Sequence, residues 1–327
     1  MCATRGSVSV SDPDATHRLA AIDIGTVTTR LLIADVSPAR VIEVGRHTDI
    51  THLGEDLTQT GRLGEAAMKR VADVIERYVG EVRDARVERT TALATSASRD
   101  AENSKDFMRM LAAHGIEPHV ISGAREANLA FLGATYEKEG EGILVADLGG
   151  GSTELILGSA SFEGGVHSQV IEMARSIDVG SKRLTELFLE SDPPTSAELE
   201  EARASAVRGF RSYFDQLKTR PEEMISLAGT ATTLSAIKQE LAVYDVSRVH
   251  NSCLTGSDLA DLLEMLASQS LAERTNVVGL DPGRAPVIVA GTLILETLLG
   301  MAGLDSTLVS EHDILYGTLL DTYRDLA

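Results

Sequence analysis

Two stretches of this chain align residue for residue without a gap: Asp23-Ile24-Gly25-Thr26-Val27-Thr28-Thr29-Arg30-Leu31-Leu32-Ile33 and Asp147-Leu148-Gly149-Gly150-Gly151-Ser152-Thr153-Glu154-Leu155-Ile156-Leu157. Both read Asp–apolar–Gly–x–x–hydroxyl–Thr–x, then apolar residues. Each follows an apolar run, Leu19 to Ile22 or Ile143 to Ala146, so each reads as strand, glycine turn, strand. Glycine has no Cβ to hold an anion away, so such a turn brings amides and hydroxyls close to a phosphate. An acid at its first position suits a hard cation bound through oxygen. Two facing copies predict a clamp on a phosphate-bearing ligand, held between two duplicated domains.

The rest of the pattern follows the repeat. Strands are predicted near 19–25, 29–36 and 40–50, then a helix near 64–84 with Met68, Val71, Ala72, Ile75 and Val79 at helical spacing. A strand near 87–94, a helix near 102–114, a strand near 117–121 and a helix near 124–137 finish the first half. The second half restarts with strands near 142–148, 153–158 and 166–176 and helices near 180–190 and 195–219. A strand near 224–228, helices near 230–242, 256–268 and 284–302, a strand near 306–310 and a last helix near 313–326 follow. This predicts an α/β fold of two mixed sheets. The expected organisation is a disordered tail over 1–17, a first domain over 18–122 and a second over 123–312. The hinge falls near 121–124, and the segment 313–327 is a candidate to cross back and complete the first domain.

A chain of 327 residues has room for two cores. Its formal charge of −19 argues against a broad nucleic-acid surface, which needs Lys and Arg to neutralise phosphates. A cleft can still reverse that sign locally with arginine, metal and amide dipoles. Cys2 and Cys253 form no disulfide framework, which points to a reducing, cytoplasmic setting. The polar first 17 residues lack the apolar core of a signal peptide. The run Val287 to Leu304 contains Glu296 and several glycines and reads as a buried helix, so no membrane partner is expected.

The chemistry concentrates at strand ends. Asp147 closes one strand and Glu154 opens the next, so their carboxylates converge across a hairpin and suit Mg²⁺, while Gly149, Gly150, Gly151 and Ser152 offer a phosphate cradle. The bland alternative is a tight hairpin with a solvated Glu. At the first turn Asp23 is the matching acid, and Gly25 and Thr26 are the matching cradle. Arg30 replaces Glu154 there and either grips phosphate or is an ordinary strand-edge arginine. Ser96 and Arg99, in Thr95-Ser96-Ala97-Ser98-Arg99, lie between a strand and a helix, where anions and simple helix caps both occur. Gly229 and Thr230 open another such helix and bind a phosphate or a nucleoside, or merely turn the chain. Glu126, in Ser122-Gly123-Ala124-Arg125-Glu126-Ala127, sits in a first helical turn, where acids are common for dipole reasons alone. Its place between the two glycine turns makes it the candidate base. The eight histidines show no metal-ligand spacing, and His312 reads as a surface or cleft residue.

In this order the segments resemble the exopolyphosphatase and guanosine-pentaphosphate phosphohydrolase family. The matching pieces are Ala21 to Thr26, Ala94 to Asn103, Ile121 to Ala127, Asp147 to Glu154, Gly180-Ser181-Lys182-Arg183-Leu184, Ala228-Gly229-Thr230 and Arg284 to Gly291. The resemblance runs from about residue 19 to the end of the chain. It implies an actin/hexokinase/Hsp70-like (ribonuclease H-like) fold, with two domains closing on a cleft. It also implies Mg²⁺-dependent release of terminal phosphate, with Mn²⁺ as a substitute and K⁺ as a stimulant. Glu126 matches the family's catalytic Glu, Asp147 and Glu154 its metal-associated acids, and Arg99 with Gly149 to Ser152 its phosphate contacts. The implied partners are inorganic polyphosphate or guanosine pentaphosphate and a second copy of the chain as a homodimer. A same-fold kinase or ATPase and a non-catalytic sensor of phosphorylated alarmones are the rivals. The chain looks like the short form, without the C-terminal HD-type helical domain of longer members. It departs from the family pattern at Arg125, where an acid is usual and a positive charge is expected to fall near the base. It departs again at Pro286 and at Ile314-Leu315-Tyr316-Gly317, where a basic residue is frequent.

Overall fold

The computed structural model describes residues 16–37, 40–163 and 166–326. Most of the tail expected over 1–17, Cys2 included, lies outside the described residues, and His17 already opens the first strand. Strands β1 (His17–Ile24), β2 (Thr28–Ser37), β3 (Arg40–Ile50), β4 (Arg89–Ala94) and β5 (His119–Val120) form one sheet in the order β3-β2-β1-β4-β5. The second sheet contains β6 (Gly140–Leu148), β7 (Thr153–Glu163), β8 (Val166–Ile177), β9 (Glu223–Leu227), β10 (Cys253–Thr255) and β11 (Ser306–Val309). Its order is β10-β11-β9-β6-β7-β8. Read from β8, that sheet repeats the first. The first two pairings are antiparallel and the next two parallel in both sheets. Only β10, antiparallel at the outer edge of β11, has no counterpart. The duplication seen in sequence is therefore a duplication of topology, and it gives the actin-like arrangement.

The central strands β1 and β2 of the first sheet are buried on both faces, while its edge strands β3 and β5 are half-buried or exposed. Ala20, Ile22 and Ile24 of β1 face a core shared with Val71, Ile75, Tyr78, Phe107 and Leu111, from the helices Glu65–Asp84 and Ser104–Ala113. The alternate residues Leu19 and Ala21 face Leu315, Leu319 and Tyr323 of the last helix, Ile314–Arg324. On the second sheet, Val145, Ile156 and Ile225 pack against Ala127, Ala130 and Phe131 of the helix Gly123–Ala134.

These two helices, one on each sheet, cross in close backbone contact. A Cβ on Gly133 would lie 1.9 Å from the carbonyl oxygen of Asp313, and one on Gly317 would lie 1.8 Å from that of Leu129. Carbonyls cannot move out of the way, so the crossing admits only glycine. The contact sets where Glu126 and Asp313 sit relative to each other. Gly317→Ala is expected to cost about 3 kcal/mol, at the upper end of overpacking, and to lower activity with it. Gly80→Ala, where a Cβ meets nothing within 4 Å, is expected to add about 0.5–1 kcal/mol by helix propensity. Denaturant midpoints of the two variants check this contrast.

Several elements differ from the sequence pattern. The helix expected near 102–114 is Ser104–Ala113, and the loop before it, read over 95–100, instead contains a short helix, Ser96–Asp100. Between them, Asn103 donates to the carbonyl of Leu63 and accepts from its amide, both at 2.9 Å, which pins the chain. The helix expected near 284–302 starts at Ile288, after a short 3₁₀ turn over Pro282–Arg284. It is buried on nearly every side, and among the described residues no helix is long and apolar enough to cross a membrane. β10 has three residues, too few to show an alternating pattern.

Candidate active site

The two glycine turns fold alike and touch. Gly25 donates its amide to the carbonyl of Thr28 at 2.9 Å, and Gly149 donates to that of Ser152 at 3.0 Å, the equivalent bond in each copy. A Cβ on Gly150 would lie 2.5 Å from Val27 Cγ2, and one on Gly151 would lie 2.5 Å from Ser96 Oγ. The copies thus face each other with no room for a side chain. Among the described residues, no protein acceptor takes the amides of Thr26, Val27, Gly150 or Gly151. Free amides around a glycine turn are anion donors.

One pocket gathers most of the residues singled out in the sequence. Asp23, Gly25, Thr26, Arg30, Ser96, Glu126, Asp147, Gly149, Gly150, Gly151, Ser152, Glu154, Gly229 and Thr230 all line it. Arg99 stands behind the wall: its Nη1 donates to Glu126 Oε2 at 3.0 Å and to the carbonyl of Ile121 at 3.1 Å. It orients the carboxylate. Arg30 is already committed to acids on both sides. Its Nη2 donates to Asp23 Oδ2 at 2.6 Å, and its Nη1 pairs with Asp313. Arg125 does not face Glu126 as expected. It pairs with Asp321 on the last helix, at the surface.

The strand registers bring the acids together. Asp23 lies opposite Arg30 across β1 and β2, and Asp147 lies opposite Glu154 across β6 and β7. Asp23, Glu126, Asp147, Glu154 and Asp313 are all buried, and among the described residues only Arg30 and Arg99 pair with them. Water is excluded from this surplus of negative charge, so protons are held more tightly. Burial, then the charge of Glu154, pushes the Glu126 carboxyl up to about 8, against the pull of Arg99. Burial and Asp313 push Asp147 up to about 8, and burial and Asp147 push Glu154 up to about 7. Burial likewise raises Asp23, against Arg30. Glu154 Oε1 accepts from Ser152 Oγ at 2.9 Å and from Ser176 Oγ at 2.6 Å. Among the described residues, Asp23 Oδ1 is buried with no partner and the carboxylate of Asp147, which lines the pocket, accepts no hydrogen bond. Orphaned carboxylate oxygens in a pocket short of positive charge fit a hard divalent cation.

Sequence reasoning missed Arg284, Ser181 and Asp313. Arg284 and Ser181 line the pocket. A Cβ on Gly229 would lie 1.5 Å from Arg284 Nη1, so the glycine makes room for that guanidinium at the start of the helix Ala228–Lys238. Burial, then the charge of Arg30, lowers the pKa of Arg284. Ala228, a non-glycine residue at φ 63°, holds a left-handed conformation at the mouth of the same pocket. Such strain concentrates at functional sites.

The histidines also differ from expectation, since His250, His312 and Glu137 come together despite their sequence separation. The His250 ring accepts at Nδ1 from the amide of Glu311, at 3.2 Å. A neutral imidazole then carries its proton on Nε2, the nitrogen nearest Glu137, which leaves that nitrogen no lone pair for a metal. His312 stacks on Tyr316 with centroids 3.9 Å apart, and burial lowers its pKa to about 4. The group is an aromatic stack between elements, not a metal site.

Comparison with known proteins agrees with this architecture. Residues 32–322 match the model of the Ppx/GppA phosphatase family. Exopolyphosphatase 2 of Mycobacterium tuberculosis is 39% identical, over 94% of this chain and 98% of that protein. A crystal structure of an exopolyphosphatase-like protein superposes with a TM-score of 0.87 at 32% identity, covering 95% of this chain and 99% of that one. An exopolyphosphatase structure from Cytophaga hutchinsonii does so at 0.85 and 26% identity, with the same coverage. A family match over most of the chain and a pocket of facing glycine turns and buried acids lead to one conclusion: the chain belongs to the Ppx/GppA phosphatase family and is a phosphoanhydride hydrolase.

Proposed function

We propose that the protein is a Mg²⁺-dependent exopolyphosphatase, releasing orthophosphate from the end of inorganic polyphosphate by in-line attack of water. One observation carries this reading: a buried candidate base, Glu126, lines the same small pocket as both glycine turns and the unpaired carboxylate of Asp147. Asp147, Asp23 through its orphaned oxygen, and Glu154 are the residues that would hold Mg²⁺. When bound, the ion offsets charge on the phosphoryl oxygens.

The rest of the work falls to the chain itself. The amides of the turns and the hydroxyls of Thr26 and Ser96 hold the terminal phosphoryl group, while the Ser152 hydroxyl stays committed to Glu154; positioning and electrostatics dominate phosphoryl transfer. Glu126, aimed by Arg99, takes a proton from water as its oxygen bonds to phosphorus and the bridging P–O bond breaks. The N-terminus of the helix Ala228–Lys238, with Arg284, receives the adjoining phosphate. Arg30 keeps Asp23 and Asp313 in place.

Guanosine pentaphosphate is a second substrate that a specific cavity favours. The site opens into a space of about 580 Å³. Its walls include Leu241, Tyr244 and Leu280, and the acids Glu43, Asp281 and Glu311. The apolar walls suit a base and ribose, and the arginines Arg30, Arg46 and Arg284 on the same walls, the first two paired with acids, suit phosphates. A cytoplasmic setting and a homodimer belong to the same proposal and rest on the family resemblance.

Phosphate release from long polyphosphate, short polyphosphate, guanosine pentaphosphate and ATP, with and without Mg²⁺, tests the reading. Release from the first three substrates is expected only with Mg²⁺. Asp147→Asn should raise the Mg²⁺ concentration for half-maximal rate by about tenfold or more. An unchanged Mg²⁺ titration removes Asp147 from metal binding, and release from ATP alone favours an ATPase.

A further inference from the structure

Behind the glycine turns lies a second chamber, of about 400 Å³. It shares Thr26, Ser96, Gly150 and Gly151 with the active-site pocket, so the wall between the two contains nothing larger than threonine. Its charged lining is Lys182 and Arg183 with the acids Asp100, Asp178 and Glu186. The amides of Lys182 and Arg183 both donate to the carbonyl of Gly150, at 2.9 and 3.0 Å, which ties the start of the helix Ser181–Phe188 to the turn. Arg183 spends two of its three nitrogens on the protein: Nε donates to the carbonyl of Gly151 at 2.8 Å and Nη2 to Asp100 at 2.9 Å. Lys182 has one side-chain partner among the described residues. Its Nζ meets Glu186 Oε1 at 3.0 Å, and both side chains are largely buried. The other oxygen of that carboxylate, Oε2, is buried and has no partner among the described residues.

We propose that this chamber is a binding site for orthophosphate, the station through which the product leaves. The inference rests on the hydrolase reading above. The larger cavity on the opposite side, which shares Arg30, Gly229, Arg284 and Asp313's surroundings with the substrate path, holds the remainder of the substrate. A product formed while that remainder stays bound has its way out on the other side. Lys182 and Glu186 match the product's chemistry. Near neutral pH orthophosphate carries both P–O⁻ and P–OH groups. Its anionic oxygens accept from the ammonium of Lys182, and its P–OH donates to the orphaned Oε2 of Glu186. Phosphates inside a polyphosphate chain have no P–OH at that pH, and sulfate has none either. A carboxylate set to accept a hydrogen bond rejects a ligand that has none to give.

Equilibrium dialysis of the whole protein at neutral pH, with radiolabelled phosphate or sulfate, tests the site whether or not the protein turns over. The wild type is expected to bind one more phosphate than sulfate per chain. Lys182→Met should weaken the extra phosphate site by about tenfold or more. Glu186→Gln should weaken it too, and should admit a second sulfate, because an amide can donate where the carboxylate cannot. That gain of binding cannot come from misfolding. Single-turnover release of terminal phosphate should stay within about twofold in both variants. Equal phosphate and sulfate stoichiometry in the wild type, or an undiminished extra phosphate in both variants, overturns the proposal. Absence of any phosphate release would instead refute the hydrolase reading, and dialysis would still report on the chamber.

Discussion

Glu126→Gln is expected to slow terminal phosphate release by about 10²–10⁴-fold, the usual contribution of a positioned general base. The substitution keeps the shape of the side chain, and its amide oxygen can still accept from Arg99 Nη1, which lies 3.0 Å from Oε2 in the native site. What it removes is the ability to take a proton. The terminal phosphate is held by the turns and not by Glu126, so the loss should appear in kcat, with KM within about threefold of wild type. Removing a buried charge beside Glu154 also relieves repulsion. The variant should therefore unfold no earlier than the wild type at pH 8, which separates a chemical defect from a folding defect. The base must be ionised to act, and burial holds it protonated up to about pH 8 in the free protein. A cation bound beside it favours the ionised form. The acidic limb of the wild-type rate profile should thus move to lower pH as Mg²⁺ is raised, and this limb should be lost in the variant. Release by Glu126→Gln within tenfold of wild type would exclude this residue as the base.

Much of the site was legible because its chemistry is local. Asp147, its three glycines and Glu154 are contiguous, and hairpin register alone sets the two acids opposite each other. The repeat at Asp23 extended that logic to the other sheet and to the topology. What stayed hidden depends on distant packing. Nothing near Asp313 in sequence shows that it pairs with Arg30, which is committed to acids and not free to meet a substrate unaided. Arg284 ends a short 3₁₀ turn and enters the pocket only because Gly229, far away in the chain, leaves it space. The fate of Arg125 turned on Asp321, in the last helix. Arg99 was recognised as part of the site, but its partner is the base Glu126. Short elements such as β10 and the helix Ser96–Asp100 escaped periodicity because they are too brief to carry one.

With divalent cations removed, the protein is expected to lose stability as pH rises from about 6.5 to 8.5, several kcal/mol in all. Three buried carboxyls drive this: Glu126 and Asp147, pushed up to about 8, and Glu154, pushed up to about 7. Their unfolded counterparts titrate near 4. Below that value both states are protonated and nothing is lost. Above it the unfolded chain gives up its protons while the folded cluster keeps them, so each further rise in pH favours unfolding until the folded groups ionise too. The carboxyls interact, so they titrate as one broad transition and not as three. Groups with lowered values act outside this window. Glu198, held near 2 by the amide of Thr195, matters only in acid. His312, lowered to about 4, adds stability as pH rises from there to about 6.5 and then no more. Mg²⁺ binds the ionised carboxylates, so it should raise the melting temperature more at pH 8 than at pH 6.5 and flatten the decline. Glu126→Gln, with one fewer acid in the cluster, should show a shallower fall. Calorimetric melting across this range, with chelator and with Mg²⁺, measures all three effects. A melting temperature that rises with pH in chelator, or an equal Mg²⁺ shift at both ends, would mean that these carboxylates are not buried together as the fold places them.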